Sequence, residues 1–210
     1  ASARFAAVLR YDIKMIKNPP KTKSNLKKLM NYITQPAKTR PDLVGGFNCD
    51  WEQAFNEFND VKMEFDKEDG IQARHMVMSF DVNDDVTVEL AKQIGDELLQ
   101  HKLFENFQVV YAVHKDKDHV HIHFCINSVN LENGKRWHQT SADLKSLKIR
   151  SNDLCRKYNL SEIELNQDKG SRTDSEINNR FESWKYELYL AAVNSSRRAS
   201  SIDEFKSVMN

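Results

Sequence analysis

The sequence predicts an α+β domain, a central antiparallel β-sheet covered by helices. Three observations support this. Two strongly strand-like segments, 107–114 and 119–129, are separated only by the short turn "KDKD", a connection that only antiparallel neighbours can use. Segments with apolar residues at helical spacing are interleaved with these and other strand-like segments. The 210 residues are 40% hydrophobic and 30% charged, which suits one well-cored domain. Strands mixed with helices, with the central pair joined as a hairpin, form a layered α+β fold.

Taken in order, residues 4–11 read as an opening strand and "KNPPKTK" as a loop. Residues 25–34 place Leu26, Leu29, Met30 and Ile33 on one helical face, and Pro36 stops that helix. "TRPDLVGG" reads as a turn region. Asp50 with Gln53 predicts a capping box for a helix running to about Lys67, which buries Trp51, Phe55, Phe58 and Phe65. Residues 73–81 alternate as a strand, and Thr87 caps a helix to about His101. After the hairpin, "LENGK" is a turn, "KRWHQ" a further strand and 142–158 a helix. Beyond "DKGSR" the chain is helical and polar-rich. The expected division is a main domain over 1–165 with a helical C-terminal extension of the same domain over 166–210.

No run approaches the 18 consecutive apolar residues of a membrane span, so no membrane insertion is expected. The three cysteines, Cys49, Cys125 and Cys155, are far apart and form neither a zinc pattern nor a disulfide framework, which suggests a reducing compartment. Formal net charge is zero, but the distribution is uneven. From Ile13 to Pro41 there are eight basic residues and no acid. Such a block is either the footprint of a polyanion partner or a solvated lysine-rich loop.

Histidine is concentrated too. Of seven in the chain, four (His114, His119, His121 and His123) fall within ten residues. Strand alternation puts His119, His121, His123, Cys125 and Asn127 on one face, and Val120, Ile122, Phe124 and Ile126 on the other. The second face is core. The first is polar and costly to bury without partners. His121 and His123 lie about 7 Å apart along the strand, and His114 sits across the turn. Three converging imidazoles make a metal site with open positions, against the simpler reading of a surface histidine ladder. His119 offers a fourth imidazole on the same face. Asp116 and Asp118 are turn residues, or Asp116 orients a ligand histidine. Tyr32 lies at the flank of the apolar stripe of its helix. It is either a boundary packer or a nucleophile that attacks phosphorus and forms a phosphotyrosyl link.

The segment "HKDKDHVHIHFCIN" follows H-x-D-x-x-H-x-H-x-H-x-x-x-N. It resembles the third motif of MobP-type conjugative relaxases of the HUH endonuclease superfamily, with His121-Ile122-His123 as the HUH element. "NYITQPAKT" resembles their first motif, and "RHMVMSF" is similar to the second. The resemblance covers about residues 24–165. It implies an HUH relaxase-like fold and a metal-dependent enzyme that nicks and rejoins one DNA strand at an origin of transfer. Tyr32 would be the nucleophile, His114, His121 and His123 the ligands of a divalent ion (Mg²⁺ or Mn²⁺), and Asp116 and Ser79 supporting catalytic residues. His119 and Asn127 would contact metal or DNA.

Candidate DNA-binding residues are Lys27, Lys28, Lys38 and Arg40 in the basic block, with Arg74, Arg136, Lys145, Lys148 and Arg150 elsewhere. Arg136-Trp137-His138 reads either as a single-strand stacking element or, at Trp137, as core. Expected partners are single-stranded or hairpin origin DNA, relaxosome accessory proteins and a type IV secretion coupling protein. The expected location is the bacterial cytoplasm, with export alongside DNA allowed; whether the chain is an isolated N-terminal domain of a longer relaxase is left open.

Two competing readings remain. A rolling-circle replication initiator or HUH transposase would use a later tyrosine, Tyr158, Tyr186 or Tyr189. Tyr11 is a weaker rival nucleophile. A non-catalytic DNA-binding or metal-storage module predicts binding without cleavage.

Overall fold

A computed structural model describes residues 12–115 and 119–162, all within the first of two compact units, residues 1–165. The opening strand expected at 4–11, Tyr11, residues 116–118 of the KDKD turn with Asp116, and the C-terminal arm with Tyr186 and Tyr189 lie outside the described residues. The elements are β1 (Asp12–Met15), α1 (Lys23–Ile33), β2 (Val44–Phe47), α2 (Ala54–Glu64), β3 (Ala73–Ser79), α3 (Val88–Leu98), β4 (Val109–His114), β5 (His121–Asn127) and α4 (Ser141–Lys157). The five strands form one antiparallel sheet in the order β1-β3-β5-β4-β2. The α+β expectation holds.

Helices cover both faces. On one, Met76, Met78, Tyr111, Val113, Ile122, Phe124 and Ile126 pack with Ala91, Ile94 and Leu98 of α3 and Leu147 and Leu154 of α4. On the other, Ala73, Val110, Ala112 and Cys125 pack with Leu26, Met30 and Ile33 of α1 and Ala54 and Phe58 of α2. The polar row of β5 therefore faces α1 and α2 and is buried along its length. Each large apolar side chain taken from water contributes roughly 1.5–3 kcal/mol, so both faces carry a stabilising layer.

Thr87 caps its helix as the sequence predicts, and Thr22 and Thr140 supply two caps that the sequence reading did not name. Thr22 caps α1 by accepting from the Asn25 N–H at 3.1 Å, and Thr87 caps α3 from the Leu90 N–H at 3.1 Å. Thr140 and Asp143 form a reciprocal capping box on α4.

Three expectations fail. The Asp50–Gln53 capping box does not form. Asp50 Oδ1 accepts from the Glu52 N–H at 2.9 Å, the Glu57 carboxylate takes the Asp50 N–H, and the helix starts at Ala54 and ends at Glu64. A strand, β2, replaces the expected turn at "VGGF". Its two glycines disguise it, because glycine weakens strands in isolation, and here each makes room for a neighbour. A Cβ on Gly45 would strike the Tyr111 ring, and one on Gly46 the Cys49 carbonyl oxygen. The expected strand at "KRWHQ" is a single bridge between Val129 and Arg136. Trp137 turns inward instead, stacked on Phe104 at 5.8 Å with Phe107 edge-on at 4.9 Å.

Candidate active site

The site lies where the end of α1 meets the ends of β4 and β5. β4 and β5 pair so that His114 stands opposite His121 and Ala112 opposite His123. Residues opposite one another share a face, so all three histidines project toward α1. Their ring centroids are 4.4 Å apart (His114–His123), 4.9 Å (His121–His123) and 5.3 Å (His114–His121). One ligand nitrogen from each lies within 4.8 Å of the others, and all three residues are buried. Imidazoles spaced along a strand have thus converged on one point, as a shared ion requires.

His114 completes this group, not His119. His119 lies before β5, half-buried, its ring 5.3 Å from that of His121. Its backbone carbonyl lies 3.4 Å from His121 Nδ1.

The donor set suits a divalent ion, and each ring has a contact on its other nitrogen. Helix ends leave carbonyls without intrahelical partners. The last residue of α1, Ile33, offers its carbonyl, and His114 Nε2 donates to it at 2.7 Å. This ties the ligand strand to the helix that carries Tyr32. His123 Nδ1 lies 2.8 Å from His75 Nε2. Such outer contacts set tautomer and ring orientation.

Tyr32 is one residue before that carbonyl. It is 41% exposed, with its ring edge-on to His123 at 5.5 Å and to His114 at 6.1 Å between centroids. Its flank position on α1 therefore faces the triad. The Lys38 ammonium lies over the Tyr32 ring at 4.5 Å. Ser79 pairs with His121 on the neighbouring strand and shares its face.

The remaining site expectations separate. Lys27 and Lys28 are exposed on α1, and by register Lys14 of β1 shares the histidine face. Arg40 pairs with Asp42 and Glu89 at 3.0 and 3.1 Å, which holds its guanidinium firmly charged. Arg74, opposite Ile126, points to the other sheet face. So does α4 with Lys145, Lys148 and Arg150, and the Arg150 guanidinium reaches the Glu97 carbonyl at 3.4 Å. Arg136 pairs with Asp69. Asn127 is at the far end of β5 from His121, under α2. It donates to Gln108 Oε1 at 2.8 Å and to the Phe58 carbonyl at 3.3 Å. It is a buried anchor, not a neighbour of the triad.

The later tyrosine within the described residues is also placed elsewhere. Tyr158 follows α4, accepts from Gln93 Nε2 at 2.7 Å and donates to Glu97. The sheet separates it from the histidines.

His75 is the residue that sequence reasoning overlooked. Its signal was available: it lies four residues before Ser79 on an alternating strand, and so on the same face. Burial, with His114 adding to it, pushes its pKa down to about 4, so the ring is neutral at neutral pH.

The comparisons with known proteins identify the family and the fold. Residues 32–160 match the family model "Relaxase: MobA/VirD2-like, nuclease domain". The chain is 35% identical over 173 residues to a Protein rlx of Staphylococcus aureus, covering 80% of this chain and 54% of that protein. It is 31% identical over 91 residues to the group II intron-interrupted relaxase LtrB of Lactococcus lactis, covering 43% of this chain and 16% of that protein. The chain thus spans about half the length of the curated rlx relatives it matches. Among solved structures it is similar in fold to a Mn-bound MobM relaxase domain in complex with pMV158 oriT DNA. That match has a TM-score of 0.53 and 15% identity, covering 80% of this chain and 98% of the other. The family model spans the segment that carries both the histidine triad and the exposed tyrosine, and with the rlx relatives it settles the family: the chain belongs to the relaxases, in the MobA/VirD2-like nuclease-domain family.

Proposed function

We propose that this chain is the nuclease domain of a relaxase that nicks one DNA strand at an origin of transfer and rejoins it, with Tyr32 as the nucleophile. The observation that carries this reading is the Tyr32 ring, exposed and edge-on to two of three histidines whose ligand nitrogens converge within 4.8 Å. The Tyr32 phenol oxygen attacks the phosphorus of the scissile phosphodiester. The bond from phosphorus to the 3′-oxygen breaks, the phenol gives up its proton, and the departing oxygen takes one up. The cut strand is left with its 5′-phosphate on Tyr32 and a free 3′-hydroxyl. Because one ester replaces another, an incoming 3′-hydroxyl reverses the step and reseals the strand.

His114, His121 and His123 hold a divalent ion, Mg²⁺ or Mn²⁺, which supplies positive charge to the phosphoryl oxygens. The Mn-bound MobM domain, similar in fold, supports that choice. Lys38 stands over the phenol and Lys14, Lys27 and Lys28 share its side of the molecule, a basic surface for the strand's phosphates. Ser79 supports the His121 side of the site. Asp116, two residues after His114 in the sequence, is proposed to help remove the phenol proton.

In the cell the domain works with relaxosome accessory proteins and a coupling protein of a type IV secretion system, in the bacterial cytoplasm and in transit with DNA. No helix among the described residues is long and apolar enough to cross a membrane.

The test uses end-labelled single-stranded DNA carrying the origin of transfer of the element that encodes the chain. With Mn²⁺, a covalent protein–DNA adduct is expected. EDTA and Tyr32→Phe should each abolish it. An adduct formed by Tyr32→Phe, or none formed by the unaltered chain, overturns the reading, and DNA binding without any adduct favours a non-catalytic module.

A further inference from the structure

An imidazole that ligates through one ring nitrogen carries its proton on the other. For His114 the second nitrogen, Nε2, is 2.7 Å from the Ile33 carbonyl. A carbonyl only accepts, so the proton is on Nε2 and the ring presents Nδ1. For His123 the contact is ambivalent. Its Nδ1 meets another imidazole nitrogen, His75 Nε2, at 2.8 Å. One of these nitrogens donates and the other accepts. If His75 donated, His123 would carry its proton on Nε2 and could not ligate through it. If His123 donates, its Nε2 keeps a lone pair on the side of the ring away from His75.

We propose that His75 is a positioning residue for the metal site. Its Nε2 accepts the Nδ1 proton of His123 and so holds that ring in the tautomer and orientation that present Nε2 to the ion. This rests on the reading that the triad holds a divalent ion.

The fold supplies the contact. His75 pairs with Cys125 and His123 with Val77, so the two imidazoles are diagonal neighbours on one face of adjacent central strands, close enough for long side chains to touch. The rings lie 5.1 Å apart with a 31° tilt, which aims the nitrogens at each other. A metal-bound histidine more often leans on a carboxylate or carbonyl. A neutral imidazole in that place orients the ligand without adding negative charge, so the ion's charge is left for the phosphate.

Two measurements on the full chain test this. In the Zn²⁺-loaded protein labelled with ¹⁵N-histidine, two-bond ¹H–¹⁵N spectra should show His123 protonated at Nδ1 and His75 protonated at Nδ1 but not at Nε2. His75 protonated at Nε2, or His123 as the Nε2–H tautomer, overturns the proposal without any variant. By calorimetry, His75→Leu should weaken Mn²⁺ binding roughly 10- to 100-fold. His75→Gln, whose side-chain oxygen can accept the same proton, should recover most of that loss. Binding by His75→Leu within twofold of the unaltered chain overturns the role of His75 and leaves the metal site standing. No Mn²⁺ binding by the unaltered chain overturns both.

Discussion

Lys62 makes a strong test of how the layer covering the histidine face is built. It lies on α2, is 0% exposed, and its ammonium nitrogen makes no hydrogen bond among the described residues. The Phe58 ring is 5.6 Å away. Burial pulls its pKa down from 10.5 to about 8, with nearby Lys23 and Arg136 adding to the effect. The sign follows from proton counting. Between pH 8 and 10.5 the unfolded chain binds this proton and the folded chain does not, so stability rises with pH across that window. Below pH 8 both states are charged and the folded state carries the full penalty. At roughly 1.4 kcal/mol per pH unit the penalty is about 3 kcal/mol at pH 7, and it shrinks to about 1.5 kcal/mol at pH 9.5. Lys62→Met keeps the length of the side chain and removes the charge. Urea unfolding should therefore find Lys62→Met the more stable protein at pH 7, with the gap halved at pH 9.5. Groups that do not touch Lys62 titrate alike in both proteins and drop out of the difference, and the neighbouring Cys125 thiol, which opposes the shift of Lys62, is pushed up to about 12 by burial and stays protonated in the folded state at both pH values. Loss of more than about 1 kcal/mol at pH 7 would refute the reasoning. It would mean that polar groups around Lys62 offset the cost of burying its charge.

Two further outcomes are expected. Tyr158→Phe should form the DNA adduct at the rate of the unaltered chain, because the sheet lies between Tyr158 and the histidines; loss of the adduct would point to a tyrosine order like that of rolling-circle initiators. Gly46→Ala should destabilise the fold by about 1–3 kcal/mol in a thermal or urea melt, since the new Cβ meets the backbone carbonyl of Cys49, which cannot swing aside as a side chain can.

Tyr32 and His75 illustrate the division between local and distant information. The period of a helix is local, so the flank position of Tyr32 was legible from Leu26, Met30 and Ile33 alone. That this flank faces the triad depends on α1 packing against β4 and β5, where the Ile33 carbonyl accepts a hydrogen bond from His114 Nε2. The strand period likewise put His121 and His123 on one face. It could not choose between His114 and His119, because that choice is a matter of pairing register between two strands.

β2 and Trp137 show the same limit from the side of the fold. The glycines of "VGGF" look like a turn until Tyr111 and Cys49 are seen to need the space, and the aromatic in "KRWHQ" looks like a strand or a stacking ring until Phe104 and Phe107 surround it. Charge was the least informative signal. The bases of α1 and those of α4 read alike along the chain, yet the two helices cover opposite faces of the sheet. Residue type, period and motif order, all carried by neighbouring residues, determined the fold class, the histidine row and the candidate nucleophile. Only the tertiary structure decided which imidazole completes the triad, that His75 backs His123, and which bases share a side with Tyr32, because each depends on how segments far apart in sequence pair and pack.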